Sequence, residues 1–106
     1  MNELIEQINQ FREDRDWRQF HNAKDLAISI SLEASELLEN FQWKTSEEAK
    51  RENVEQELAD VLIYSLMLAS DLDLDVKQII ENKLKLNGQK YPIEKSKGNK
   101  EKYTEL

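Results

Sequence analysis

The chain has 106 residues, the length of one domain. Lys and Arg number 15 against 22 Asp and Glu, a formal charge of −7. This balance argues against non-specific, charge-driven binding to a nucleic-acid polymer or an anionic membrane, since both need positive surface to release counterions. No cysteine is present, so there is no disulfide, thiolate metal site or cysteine nucleophile. A hydrophobic fraction of 39% beside 35% charged residues gives one protomer only a thin core. Elongated helices that complete their core by oligomerisation fit these numbers.

The start, Met1-Asn2-Glu3-Leu4-Ile5-Glu6, shows no basic n-region or apolar h-region of a secretory leader. The longest stretch without a charge, residues 61–70, falls short of the ~20 apolar residues of a membrane span. The expectation is a soluble cytoplasmic protein. Gly88, Pro92 and Gly98 are the only Gly and Pro residues. Hairpins depend on such residues, so the predicted class is all-α.

Leu4, Ile5, Ile8 and Phe11 share a helical face and predict a first helix over residues 3–14. Residues 15–22 read as a connector holding Trp17, Phe20 and His21. Asn22 suits the N-cap of a second helix reaching about residue 41. Thr45 with Glu48 forms a capping-box pattern, opening helical sequence to about residue 70 with a break near Asn53. Asp73 or Asp75 caps a fourth helix with an apolar face of Val76, Ile79, Ile80 and Leu84. Gly88 is placed as its C′ residue, and Pro92 blocks continuation. The resulting organisation is a four-helix-type domain over residues 1–92 and a loosely ordered Lys/Glu-rich tail over residues 93–106.

At ~100° per residue, the apolar stripe of the second helix is Leu26, Ile30, Leu37 and Phe41. Glu33 falls inside it and Glu36 at its edge. On the third helix the stripe is Val54, Val61, Tyr64 and Leu68, with Glu57 inside and Asp60 at the same edge. An ionised carboxylate on an apolar face is costly unless it is paired or bound to metal. One E-x-x-E of this kind is ordinarily a solvated face or a partner for Lys and Arg. Two, placed alike, favour one or more Mg²⁺ ions with oxygen ligands, the i, i+3 spacing letting each pair reach one metal. A di-iron site needs Glu-x-x-His on two helices, and the only histidine is His21. The stretch from Asp71 to Asp75 has Val76 where an EF-hand needs Gly, so it reads as a loop and cap. No Walker A loop is present.

Lys83 and Asn87 lie in the stripe of the fourth helix. They are either neutralising and fraying residues or groups that hold a phosphate oxygen and a base or sugar edge. Trp17, Trp43, Phe20 and Phe41 gather around the ends of the second helix. Packing is the plainer role for the phenylalanines, whereas a connector tryptophan beside a polar site is a stacking platform for a base. Ile28, Leu32, Leu62, Ile63 and Leu66 lie off the stripes and suggest a second buried face in a dimer or larger bundle.

Taken together, these residues resemble the all-α nucleoside triphosphate pyrophosphohydrolases of the MazG-like superfamily, and within it the dCTP pyrophosphatase branch. The superfamily pattern stands as Glu33-Ala34-Ser35-Glu36 and Glu57-Leu58-Ala59-Asp60. The branch-level match adds Arg15-Asp16-Trp17, Gln19-Phe20-His21, Phe41-Gln42-Trp43-Lys44, Asp60-Val61-Leu62-Ile63-Tyr64, Lys83 with Asn87, Tyr91-Pro92 and Lys102-Tyr103-Thr104. The resemblance implies a homodimer or homotetramer that hydrolyses a nucleoside triphosphate between its α- and β-phosphates, with Mg²⁺, or Mn²⁺ as a substitute. It implies Glu33, Glu36, Glu57 and Asp60 as metal ligands, with Glu36 and Glu33 serving the attacking water. Trp17, Trp43, Tyr64, Lys83 and Asn87 match pocket positions. The chain departs from some relatives at Ile8, where they carry a His. dCTP or modified pyrimidine deoxynucleotides are the expected substrates, in nucleotide-pool house-cleaning. A nucleotide sugar as substrate, or a non-enzymatic helical interaction module with structural carboxylates, are the competing expectations.

Overall fold

The structure is a computed structural model that describes residues 1–98. All regular structure among these residues is helical, in agreement with the expected class. Four long helices form: α1 (Asn2–Asp14), α2 (Ala23–Glu39), α3 (Arg51–Asp71) and α4 (Val76–Lys90). A short α5 (Ile93–Ser96) follows, and 3₁₀ turns occupy Arg18–Phe20 and Ser46–Glu48. The chain divides into two compact units, Met1–Leu74 and Asp75–Leu106. In the first, α2 and α3 pack along each other as the main helix pair and α1 lies against α3.

The caps explain most boundaries. Asn22 accepts a hydrogen bond from the Asp25 amide at 2.9 Å, as its position before α2 predicts. Asp75, one of the two predicted caps of α4, accepts from the Gln78 amide at 3.0 Å. α1 and α3 both end in Schellman motifs. After α1, the Trp17 amide reaches the Arg12 carbonyl at 2.9 Å and the Asp16 amide the Glu13 carbonyl at 3.0 Å. After α3, the Leu74 amide reaches Ala69 at 2.9 Å and Asp73 reaches Ser70 at 3.1 Å. Each motif needs a left-handed residue, and an Asp fills it at φ 54° both times.

Three boundaries differ from expectation. α2 stops at Glu39, because the Asn40 side chain donates to the carbonyls of Glu36 and Leu37 and closes the last turn. The Thr45–Glu48 pattern opens only a 3₁₀ turn. The two side chains bond each other at 3.1 Å instead of the backbone amides, and Ala49 and Lys50 run extended before α3 starts at Arg51. The break therefore precedes Asn53. Gly88 is not a C′ residue. It lies inside α4, which runs on to Lys90 and stops before Pro92.

The buried apolar set among the described residues is small: Ile8, Leu26, Leu66, Met67 and Ala69. Leu66, read from the wheel as off-stripe, is buried because the C-terminal half of α3 is apolar on more than one face and has both α1 and α2 against it. Arg12 of α1 is fully buried with them. Its guanidinium forms a bidentate pair with Asp71 of α3, at 3.0 and 2.7 Å.

The two left-handed aspartates differ in one respect. The Asp16 carboxylate accepts from Gln19 at 2.9 Å, whereas that of Asp73 takes no hydrogen bond or ion pair among the described residues. Asp73→Gly therefore removes backbone strain at no loss of contact. It is expected to raise stability by ~0.5–1 kcal/mol and the melting temperature by about 2–6 °C. Asp16→Gly should gain less. Thermal unfolding followed by circular dichroism checks the pair.

Candidate active site

α2 and α3 carry the E-x-x-E and E-x-x-D segments into one seam. One carboxylate oxygen each of Glu33, Glu36 and Glu57 lies within 4.8 Å of the others. Glu33 and Glu57 are half-buried, and Glu36 is exposed at the edge. Asp60 is half-buried on the same side of α3. Glu33 and Glu57 are thus less exposed than Glu36, while Asp60, expected at the edge, is as half-buried as they are.

Oε2 of Glu33 and Oε2 of Glu57 are both buried without a hydrogen-bond partner. Neither Lys nor Arg is paired with any of the four acids among the described residues. The Glu33 carboxyl is pushed up to about 7 by a hydrogen bond shared with Glu36, by burial, and by the negative charge of Glu36, Asp60 and Glu57. Glu57 is raised by burial first, then by Glu36, Asp60 and Glu39. Glu39 is a contributor that the wheel did not single out. It lies one turn beyond Glu36 on α2, and i, i+3 spacing was the available signal.

Orphaned buried oxygens on convergent carboxylates are what a hard divalent cation satisfies, so the donor set fits a metal. Buried polar groups otherwise find partners, and these acids have only one another.

The remaining expected site residues are scattered. Tyr64 is half-buried on α3, one turn after Asp60. Trp17 follows α1 and meets Phe11 edge-on with centroids 5.5 Å apart, and it keeps 40% of its surface open. Trp43 stands 95% exposed in the α2–α3 connection with φ 62°. Lys83 is exposed and Asn87 half-buried on α4, within the second unit. Ile8 is buried in the core, so it offers nothing to a ligand within the protomer. Lys102-Tyr103-Thr104 lies outside the described residues. Sequence reasoning missed the Arg12–Asp71 pair, although Arg12 lies one helical turn from Ile8 on the apolar face of α1.

A chain whose described regular structure is all helical, and whose α2 and α3 bring Glu33, Glu36 and Glu57 together without a Lys or Arg partner among the described residues, belongs with helical carboxylate-cluster proteins. Comparison with known proteins narrows this. A model of the MazG-like family matches residues 28–106. dCTP pyrophosphatase 1 of Mus musculus is 38% identical over 92% of this chain, and that of Homo sapiens 36% identical over the same share. The chain spans 62% of the length of each of these relatives. A crystal structure of a pyrophosphatase from Archaeoglobus fulgidus superposes with a TM-score of 0.81 at 40% identity, covering 87% of this chain and 92% of that one. The chain belongs to the MazG-like family. None of its described helices is long and apolar enough to cross a membrane.

The raised carboxyls fix a pH dependence. A raised folded-state value means that the group's stability contribution is complete below its ordinary range near 4.5 and is lost as pH rises through about 7. Metal-free protein should melt at a higher temperature near pH 5 than near pH 8, and Glu33→Gln should flatten that slope. Added Mg²⁺ should stabilise more at the higher pH, because binding must displace the proton. Melting curves at both pH values, with and without Mg²⁺, decide it.

Proposed function

We propose that this protein is a Mg²⁺-dependent nucleoside triphosphate pyrophosphohydrolase, with Mn²⁺ able to substitute. It would cleave a (d)NTP to the monophosphate and pyrophosphate in cytoplasmic nucleotide-pool house-cleaning. dCTP or modified pyrimidine deoxynucleotides are its preferred substrates on this reading. The observation that carries it is the convergence of Glu33, Glu36 and Glu57 with two buried, unpartnered oxygens. The dCTP pyrophosphatase relatives and the similarly folded pyrophosphatase support the same reaction.

In this reading Glu33, Glu57, Glu36 and Asp60 hold the metal. When bound, it supplies positive charge for the phosphate oxygens and for the charge that develops in the transition state. Glu36, exposed at the seam's edge, orients the attacking water and takes its proton, with Glu33 beside it. The water oxygen bonds to the α-phosphorus in line, the bond from that phosphorus to the αβ-bridging oxygen breaks, and pyrophosphate leaves. Trp17 and Trp43 stack on the base. The backbone strain and near-complete exposure of Trp43 find no return within the protomer, as expected of a side chain that a ligand covers. Tyr64 lines the pocket in this reading, and on α4 Lys83 offers a point charge for phosphate and Asn87 a donor and acceptor.

The assembly is a homodimer or homotetramer in this reading, with no nucleic-acid polymer and no membrane as partner. A groove of about 450 Å³ between α1 and α3 is lined by Leu4, Ile8, Phe11, Leu62, Leu66 and Met67 among others. Leu4, Phe11 and Leu62 leave about half of their surface to solvent there. A second copy covering this groove would enlarge a core of five side chains.

Pyrophosphate release from a panel of canonical and modified dNTPs and NTPs, with Mg²⁺ or with EDTA, tests the activity. Metal-dependent turnover is expected, falling by about 10²-fold or more in Glu33→Gln and Glu57→Gln. Retained activity in both variants sinks the site. No turnover of any nucleotide by folded protein favours a helical interaction module instead. Separately, Leu62→Glu should lower the mass measured by light scattering to that of a smaller assembly. An unchanged mass places the interface elsewhere.

A further inference from the structure

The connector from α1 to α2 is held in an unusual way. Its 3₁₀ turn, Arg18–Phe20, buries none of its residues, and Phe20 leaves 67% of its surface to solvent. Beside it lies a polar cavity of about 450 Å³ lined by Arg12, Arg18, His21, Ser70, Asp71 and Asp73 among others. Apolar packing therefore does little to fix this segment, and polar contacts to the end of α3 take over. Asp71 is their common acceptor. Its Oδ1 and Oδ2 take the Arg12 guanidinium at 3.0 and 2.7 Å, and Oδ1 also faces Nη1 of Arg18 at 3.4 Å. Arg12 Nη1 also donates to Asn9, whose amide donates to Ser70 at 2.9 Å.

The backbone of the same arginine fixes the residue before the turn. The Arg12 carbonyl accepts the Trp17 amide at 2.9 Å, and the Trp17 carbonyl accepts the Phe20 amide at 2.9 Å. Arg15 lies over Phe11 at 3.7 Å and reaches the Trp17 ring at 5.9 Å, so the indole is held from the α1 side with its remaining surface open. α3 carries Glu57 and Asp60 upstream of Asp71. A single rigid helix thus links the carboxylate seam to the clamp on the connector.

We propose that Asp71, acting through Arg12 and Arg18, is the positioning residue that fixes the stance of Trp17, the candidate stacking platform for the nucleotide base. The proposal rests on the pyrophosphohydrolase reading for its ligand. The clamp acts on where Trp17 stands, while the acid cluster remains as it is.

Loss of Asp71 alone strands a buried guanidinium and threatens the fold. Two milder variants isolate the effect. Arg18→Gln removes only the half-exposed donor. The double variant Arg12→Met with Asp71→Leu replaces the buried pair by apolar groups of similar size, which ordinarily keeps stability. Expected are KM values raised about three- to fivefold in the first and about tenfold in the second, from partial loss of stacking, with kcat within about twofold of the parent. Mn²⁺ binding followed by paramagnetic resonance should be unchanged in both. Acrylamide quenching of Trp17 in a Trp43→Phe background should rise in both variants. That readout needs no nucleotide and so decides the positioning even if the parent protein turns over none. A folded double variant with parental KM and parental quenching overturns the proposal and leaves the pair a packing device. Loss of Mn²⁺ binding in the double variant overturns it too, because the acid cluster would then have been disturbed instead.

Discussion

Everything distinctive in the first unit follows from one constraint: the seam between α2 and α3 must bury apolar surface along part of its length and hold carboxylates from both helices along another. Leu26, Met67 and Ala69 supply the burial. Glu33 and Glu57 occupy positions that the same helical period assigns to apolar side chains. Their charges repel one another and lose solvation, and the raised Glu33 and Glu57 carboxyls record that cost. The helix pair tolerates it because Glu36 is exposed at the rim and the other acids stay partly open, so water still reaches the cluster. A cation in the seam would convert the repulsion into coordination, so the arrangement costs least when it is loaded.

The rest of the protomer carries the consequences. With interior positions given to acids, few remain for a core, and the apolar side chains left over face outward from α1 and α3. A thin core cannot hold every connection by packing. The α1–α2 connector is accordingly fixed by hydrogen bonds and ion pairs at Asp71, and α1 and α3 end in Schellman motifs with left-handed aspartates. These are local devices that need no large buried area.

Much of this was readable because it is periodic or local. The helical period placed Glu33 and Glu57 inward, and Asn22 and Asp75 cap as their residue type and position require. What escaped was decided by competition between partners. Thr45 and Glu48 match a capping box in spacing, yet their side chains bond each other and the helix waits until Arg51. Gly88 looks like a terminator, but a terminator must adopt the left-handed conformation, and Asp16 and Asp73 do so while Gly88 continues the helix. Leu66, expected on a second face buried by oligomerisation, is already buried within the protomer, because α1 packs against α3 beside α2. No one-dimensional pattern joins Arg12 to Asp71 across 59 positions of chain.

Arg12 and Glu33 nevertheless pose the same question, a charged group on an apolar helix face, and their answers separate a structural ion from a ligand site. Arg12 is met by two carboxylate oxygens of Asp71, which carry the opposite charge, and one amide oxygen of Asn9, so most of its lost hydration is replaced inside the protein although its Nε finds no partner among the described residues. Glu33 is met by Glu36, Glu57 and Asp60, which share its sign, and its buried Oε2 is met by nothing. A buried charge that its own chain compensates holds a fold together. A cluster that its own chain leaves uncompensated lowers the stability of the empty protein and stores that cost as affinity for whatever brings the opposite charge. The sequence shows both as charges on the wrong face, and only the partners found in three dimensions tell which is which.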